Sequence, residues 1–84
     1  MDNQITLTIR LFGAFRKYGD TLELRLEPGA SVADIKSCLA QKLDTNDAAL
    51  VADSAIANDN TIIGAGEVFE MDAVLAILPP VCGG

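Results

Sequence analysis

The stretch Leu78-Pro79-Pro80-Val81-Cys82-Gly83-Gly84 holds the residues of this 84-residue chain whose types and order point most directly to chemistry. Prolines stiffen a backbone and glycines free it, so the order predicts a rigid departure from a folded body, then a slender tip ending in a bare carboxylate. Cys38 and Cys82 add two thiols; one falls inside an expected helix and the other near the chain end, and both read as reduced cytosolic thiols. The sequence has no histidine. That removes the usual general base, the usual zinc partner of cysteine and any Ser/His or Cys/His nucleophile pair. Stand-alone catalysis and a metal site are therefore not expected.

The body that must present this tail is one small domain, which buries only about 60–65% of its unfolded surface on folding. Half the residues are apolar but only Phe12, Phe15, Tyr18 and Phe69 are aromatic, so aliphatic side chains must fill the core. Twelve acidic against six basic residues give a formal charge of −6, which argues against a nucleic-acid or anionic-membrane partner and favours a basic protein. Asp2, Asn3 and Gln4 interrupt any leader-like apolar run, and no stretch approaches the roughly 18 apolar residues of a membrane span. A cytoplasmic, soluble protein is expected.

Ile5, Leu7, Ile9 and Leu11 alternate with Gln4, Thr6, Thr8 and Arg10, the period of a half-buried strand. After a loop from Gly13 to Asp20 the alternation returns at Leu22, Leu24 and Leu26, which predicts an antiparallel hairpin stopped by Pro28-Gly29. Ser31, with Asp34 three residues on, marks a capped helix start, and Val32, Ile35, Leu39 and Leu43 then form one apolar stripe with Cys38 on its flank. Ala48 to Ala52 suits a short helical turn. Ser54 to Ala57 and Thr61 to Ile63 suggest short strands around Asn58-Asp59-Asn60, a cluster tolerant of left-handed backbone. In the final strand, Ala73 to Leu78, both faces are apolar, so it lies centrally in a sheet or faces a partner. Pairing the first and last strands in parallel, with the helix across one face, gives an α+β, β-grasp arrangement with a mixed sheet: a domain over 1–78 and a flexible tail over 79–84.

The whole chain resembles the ubiquitin-like sulfur carriers. Its tail is most similar to that of the small subunits of molybdopterin synthase, whose pattern is Pro-Pro, an aliphatic residue, a small residue, then Gly-Gly; Pro79, Pro80, Val81, Gly83 and Gly84 match it. The segments "RLFGAFRKYGD" and "PGASVADI" carry the likeness through the body. Two positions depart from the family: Asp72-Ala73 stands where Gly-Asp is common, and Cys82 where Ser, Thr or Ala is usual. The proline pair favours a molybdopterin carrier over a carrier for thiamine thiazole, cysteine or tRNA, and a lysine-conjugating protein modifier uses the same kind of terminal glycine.

The resemblance implies a mechanism. A carboxylate is a poor acyl electrophile, so a ubiquitin-activating-like adenylyltransferase would convert Gly84 to an acyl-adenylate with MgATP. A persulfide donor would then replace AMP, leaving a thiocarboxylate on Gly84, with no cofactor held permanently. The large synthase subunit, in a heterotetramer, would receive the tail and place two sulfurs on cyclic pyranopterin monophosphate. Gly83 and Gly84 fit that chemistry because a Cβ beside the carbonyl would obstruct threading and attack. Pro79 and Pro80 lower the entropy lost on insertion. Cys82 is either a small tail residue, mostly protonated at neutral pH with a thiol pKa near ~8.5, or a thiolate forming a transient thioester or mixed disulfide with the donor. Partner contacts are expected at Leu78 and Ile62, with Leu75 and Ile77 either core or docking residues and Arg16 and Lys17 either solvated or docking charges.

Overall fold

The computed structural model describes residues 3–59 and 61–80. The first alternation forms β1 (Ile5–Leu11), in which Ile5, Leu7, Ile9 and Leu11 are buried. In place of the expected loop, Gly13–Tyr18 coil into a 3-10 helix. Its anchor is Phe15, which is fully buried, so a single apolar side chain draws the segment inward. Strand β2 (Thr21–Leu26) returns antiparallel to β1, from Arg10↔Thr21 to Ile5↔Leu26. It is followed by a turn at Pro28-Gly29 and the two-residue strand β3 (Ala30–Ser31).

Helix α1 (Val32–Lys42) starts where the capping residues require. Ser31 Oγ accepts from Asp34 N–H at 3.2 Å and Asp34 Oδ2 accepts from Ser31 N–H at 2.9 Å, satisfying two donors that a helix start otherwise leaves open. Val32, Ile35 and Leu39, with Leu43 beyond, bury the predicted stripe, and Cys38 packs half-buried on its flank. A 3-10 turn at Thr45–Asp47 leads into α2 (Ala48–Asp53). Ser54 ends that helix, its Oγ donating to the Leu50 carbonyl at 2.6 Å, so strand β4 begins one residue later than expected, at Ala55–Ala57.

The expected strand at Thr61–Ile63 is reduced to one bridge, Ala57↔Ile62. Asn58 explains the turn before it: its N–H donates to the Thr61 carbonyl and its Oδ1 accepts from Thr61 N–H, both at 3.0 Å. The side chain thus helps close the turn; Asn58 and Asp59 have ordinary negative φ, and Asn60, the third residue of the cluster read as tolerant of left-handed backbone, lies outside the described residues. Strand β5 (Val68–Phe69), which carries no readable alternation, pairs with β3 as a second small sheet. Strand β6 (Ala73–Leu78) then enters the main sheet, whose order is β2-β1-β6-β4. As expected, β1 and β6 run parallel at its centre, from Leu7↔Ala73 to Leu11↔Ile77. Asp72 Oδ1 accepts from Thr6 N–H at 2.7 Å, tying the segment before β6 to β1.

The core lies between α1 and one sheet face. Leu7, Ile9, Ile35, Leu39 and Ile77 are fully enclosed there, and burying each such side chain contributes about 1.5–3 kcal/mol.

Candidate functional site at the base of the C-terminal tail

The parallel pair decides what surrounds the tail. β1 and β6 pair at a constant offset, ending at Leu11↔Ile77. Carrying that offset two residues further sets Gly13 beside Pro79, and the structure has them touching: a Cβ added to Gly13 would stand 2.7 Å from Pro79 Cγ. Gly13 also has φ +57, in the left-handed region that favours glycine. Pro79 is half-buried and Pro80 exposed. Each proline fixes its own φ and holds the preceding residue extended, so Leu78-Pro79-Pro80 leaves the sheet as a stiff segment. Val81, Cys82, Gly83 and Gly84 lie outside the described residues.

Beside this exit lies the sheet face that α1 does not cover. Val74, Ala76 and Leu78 of β6 point outward there, next to Thr8 and Arg10 of β1 and Ala55 and Ala57 of β4. Val74 is 56% exposed and Ile62 is 64% exposed. A depression of about 250 Å³ runs between Arg10, Phe12, Asn58, Asp59, Val74 and Leu78, with the Arg10 guanidinium 5.3 Å from the centre of the Phe12 ring. Of the residues expected to meet a partner, Leu78 is half-buried and Ile62 exposed on this outer side. Leu75 and Ile77 are not on it: they are 2% and 0% exposed and belong to the core, because the register with Ile9 and Leu11 turns them toward α1. Val74 takes their place on the outer face. It was not among the expected contacts, although the alternation within β6 contained it.

The 3-10 turn carrying Gly13 also carries the two expected docking cations. Arg16 Nη2 lies 3.3 Å from Asp20 Oδ1, both side chains well exposed, a pairing that contributes little. Lys17 Nζ lies 2.9 Å from Asp47 Oδ2 and 5.3 Å from the centre of the Tyr18 ring. The Tyr18 hydroxyl donates to Asp47 and accepts from Asp44 N–H at 3.1 Å. Lys17 is therefore engaged within the molecule, fastening the turn to the segment between the helices. Among the described residues there is no group of three or more side chains suited to hold a metal, and no helix long and apolar enough to cross a membrane.

The strand order, the parallel central pair and the helix across one face define a ubiquitin-like β-grasp fold. No family model matches the chain, and no curated protein sequence does. Among solved structures, the chain is similar to a protein described as molybdopterin converting factor subunit 1 from Pyrococcus furiosus, with TM-score 0.70 and 22% identity over 92% of this chain and 99% of that one. It is also similar to the complex of subunits 1 and 2 of molybdopterin-converting factor from Helicobacter pylori, with TM-score 0.64 and 20% identity over 95% and 100% of the two chains. A Caldiarchaeum subterraneum ubiquitin matches with TM-score 0.63 and 17% identity over 98% and 100%. At such identities the likeness defines the fold, and the chemistry must be argued from this chain's residues.

Proposed function

We propose that this protein is a ubiquitin-like sulfur carrier and, within that class, the small subunit of a molybdopterin synthase. The observation that carries the reading is the tail: a central strand ends in the stiff Pro79-Pro80 pair, and the sequence continues as Val81-Cys82-Gly83-Gly84. The Gly84 carboxylate is the reacting group. An adenylating partner joins it to AMP from MgATP with release of pyrophosphate. The terminal sulfur of a persulfide then attacks the acyl carbon, forming a C–S bond and expelling AMP, and a thiol cleaves the donor's own S–S bond in the resulting acyl disulfide, leaving the thiocarboxylate and a disulfide between donor and thiol. The tail next enters the large subunit, where the sulfur passes to the pterin precursor. The outer face around Leu78, Ile62 and Val74 docks that subunit, a role supported by the exposed apolar surface beside the tail.

Incubating the untagged protein with activating enzyme, MgATP and a persulfide donor should replace one oxygen by sulfur at Gly84, seen as an intact-mass change that survives reduction. Deleting Gly84, or adding one residue after it, should abolish the change and leave the fold intact; a C-terminally extended protein that still took up sulfur would refute the mechanism. The fold shared with a ubiquitin favours one second reading, a protein modifier joined to lysine side chains. Lysine-linked adducts in extracts, without thiocarboxylate, would select it.

A further inference from the structure

Gly13 meets Pro79 more closely than a residue with a Cβ could. We infer that Gly13 is a positioning residue: the turn it begins is a seat that sets the direction in which Pro79-Pro80 leaves the body, and so aims the reactive end. This deepens the sulfur-carrier reading and rests on it.

Three observations carry the inference. The first is the missing space. The atom that a Cβ would strike at 2.7 Å belongs to the Pro79 ring, with Cδ of the same ring at 3.5 Å. That ring is fused to the main chain, so beyond a change of ring pucker, relief requires the backbone at Pro79 or at the turn to move rather than a side chain to swing away. The second is that the seat is firmly held. Two residues after Gly13, Phe15 is fully buried, and Lys17 and Tyr18 both bind Asp47 from across the fold. The third is that the displacement would not be absorbed. Leu78 is held on β6 by its pairing with Ala55, and beyond it two consecutive prolines transmit a change of direction with few free torsions in which to lose it.

The test compares two glycines that both have positive φ. Gly13→Ala adds backbone strain and the clash with Pro79; Gly29→Ala, at φ +91 with nothing nearer than Glu70 Oε2 at 3.9 Å, adds strain without touching the tail. Thiocarboxylate formation with activating enzyme, MgATP and persulfide donor is measured as kcat and KM. Gly13→Ala should lower kcat at least about tenfold, within the ~100-fold that an ångström of misplacement can cost, with KM little changed because the body's surface is otherwise intact. Gly29→Ala should keep the wild-type kcat. Measured against Pro79→Ala alone, the double variant Gly13→Ala/Pro79→Ala, in which the ring is gone, should recover most of the loss that Gly13→Ala causes in the wild type. Equal losses in the two single variants, no loss in Gly13→Ala, or no recovery in the double variant would each overturn the inference. If the wild type itself is never charged, the sulfur-carrier reading fails and the seat is judged separately. Nuclear Overhauser contacts between Gly13 Hα and the Pro79 ring, lost in Gly13→Ala and kept in Gly29→Ala, uphold the seat; their absence from the wild type removes it.

Discussion

At Asp47 one carboxylate receives the Tyr18 hydroxyl and the Lys17 ammonium together. The Tyr18 hydrogen bond first, and the Lys17 hydrogen bond second, hold the Asp47 carboxyl below its ordinary value of 3.8. The hydrogen bond to Asp47 is also the main reason that Tyr18 and Lys17 titrate above their ordinary values of 10.0 and 10.5. A depressed carboxylate contributes stability above its unfolded pKa and loses it as the pH falls through the folded one. Raised hydroxyl and ammonium groups contribute below their unfolded pKa values and lose it as the pH rises through the folded ones. The clasp is therefore complete between roughly pH 4 and pH 10. Asp47→Asn should lower the thermal midpoint at neutral pH, and the gap from wild type should shrink as the pH drops below about 4; melts across the acid range check this, and a constant gap would contradict it. None of this was legible in the sequence. Lys17 reads as a solvated or docking charge because its partner is thirty positions away, and no local pattern joins 17 or 18 to 47.

β6 shows what periodicity conveys at the scale of an element and what it omits. All six residues are apolar, so alternation sorts them into two sets without saying which set faces inward. Register supplies the missing phase: Ile9↔Leu75 and Leu11↔Ile77 place Leu75 and Ile77 on the apolar face of β1, leaving Val74 beside Thr8 on the outside. Ile77→Ala should therefore cost about 2–5 kcal/mol as a core truncation. Val74→Asp should cost about 1 kcal/mol or less and instead weaken binding of the proposed large subunit. Denaturant melts and a binding titration on the same two variants separate these outcomes, and equal stability losses would show that the faces are misassigned. The capped start of α1 and the strands β1, β2 and β6 were legible because each repeats its signal over several residues. The two-residue strands β3 and β5 were not, and the strand expected at Thr61–Ile63 shrinks to the single bridge at Ile62, since segments that short have no period and exist only through the surfaces they meet.

At the scale of the whole molecule, protection follows the sheet order. β1 and β6 have hydrogen-bonded neighbours on both sides, whereas β4 is a three-residue edge and β3 with β5 form a separate two-residue ladder. Amide exchange should be slowest at the centres of β1 and β6 and much faster across Val68–Phe69 and near Ile62; uniform protection through the chain would contradict this. The parallel run of β1 and β6 has a practical consequence as well. β1 enters the sheet at the end opposite to the one from which Pro79 departs, and its seven residues put about 20 Å of strand between the two points. A fusion, dye or surface tether attached upstream of Ile5 therefore stands on the far side of the domain from the outgoing tail, and the protein can be gripped by one end while the other does its work.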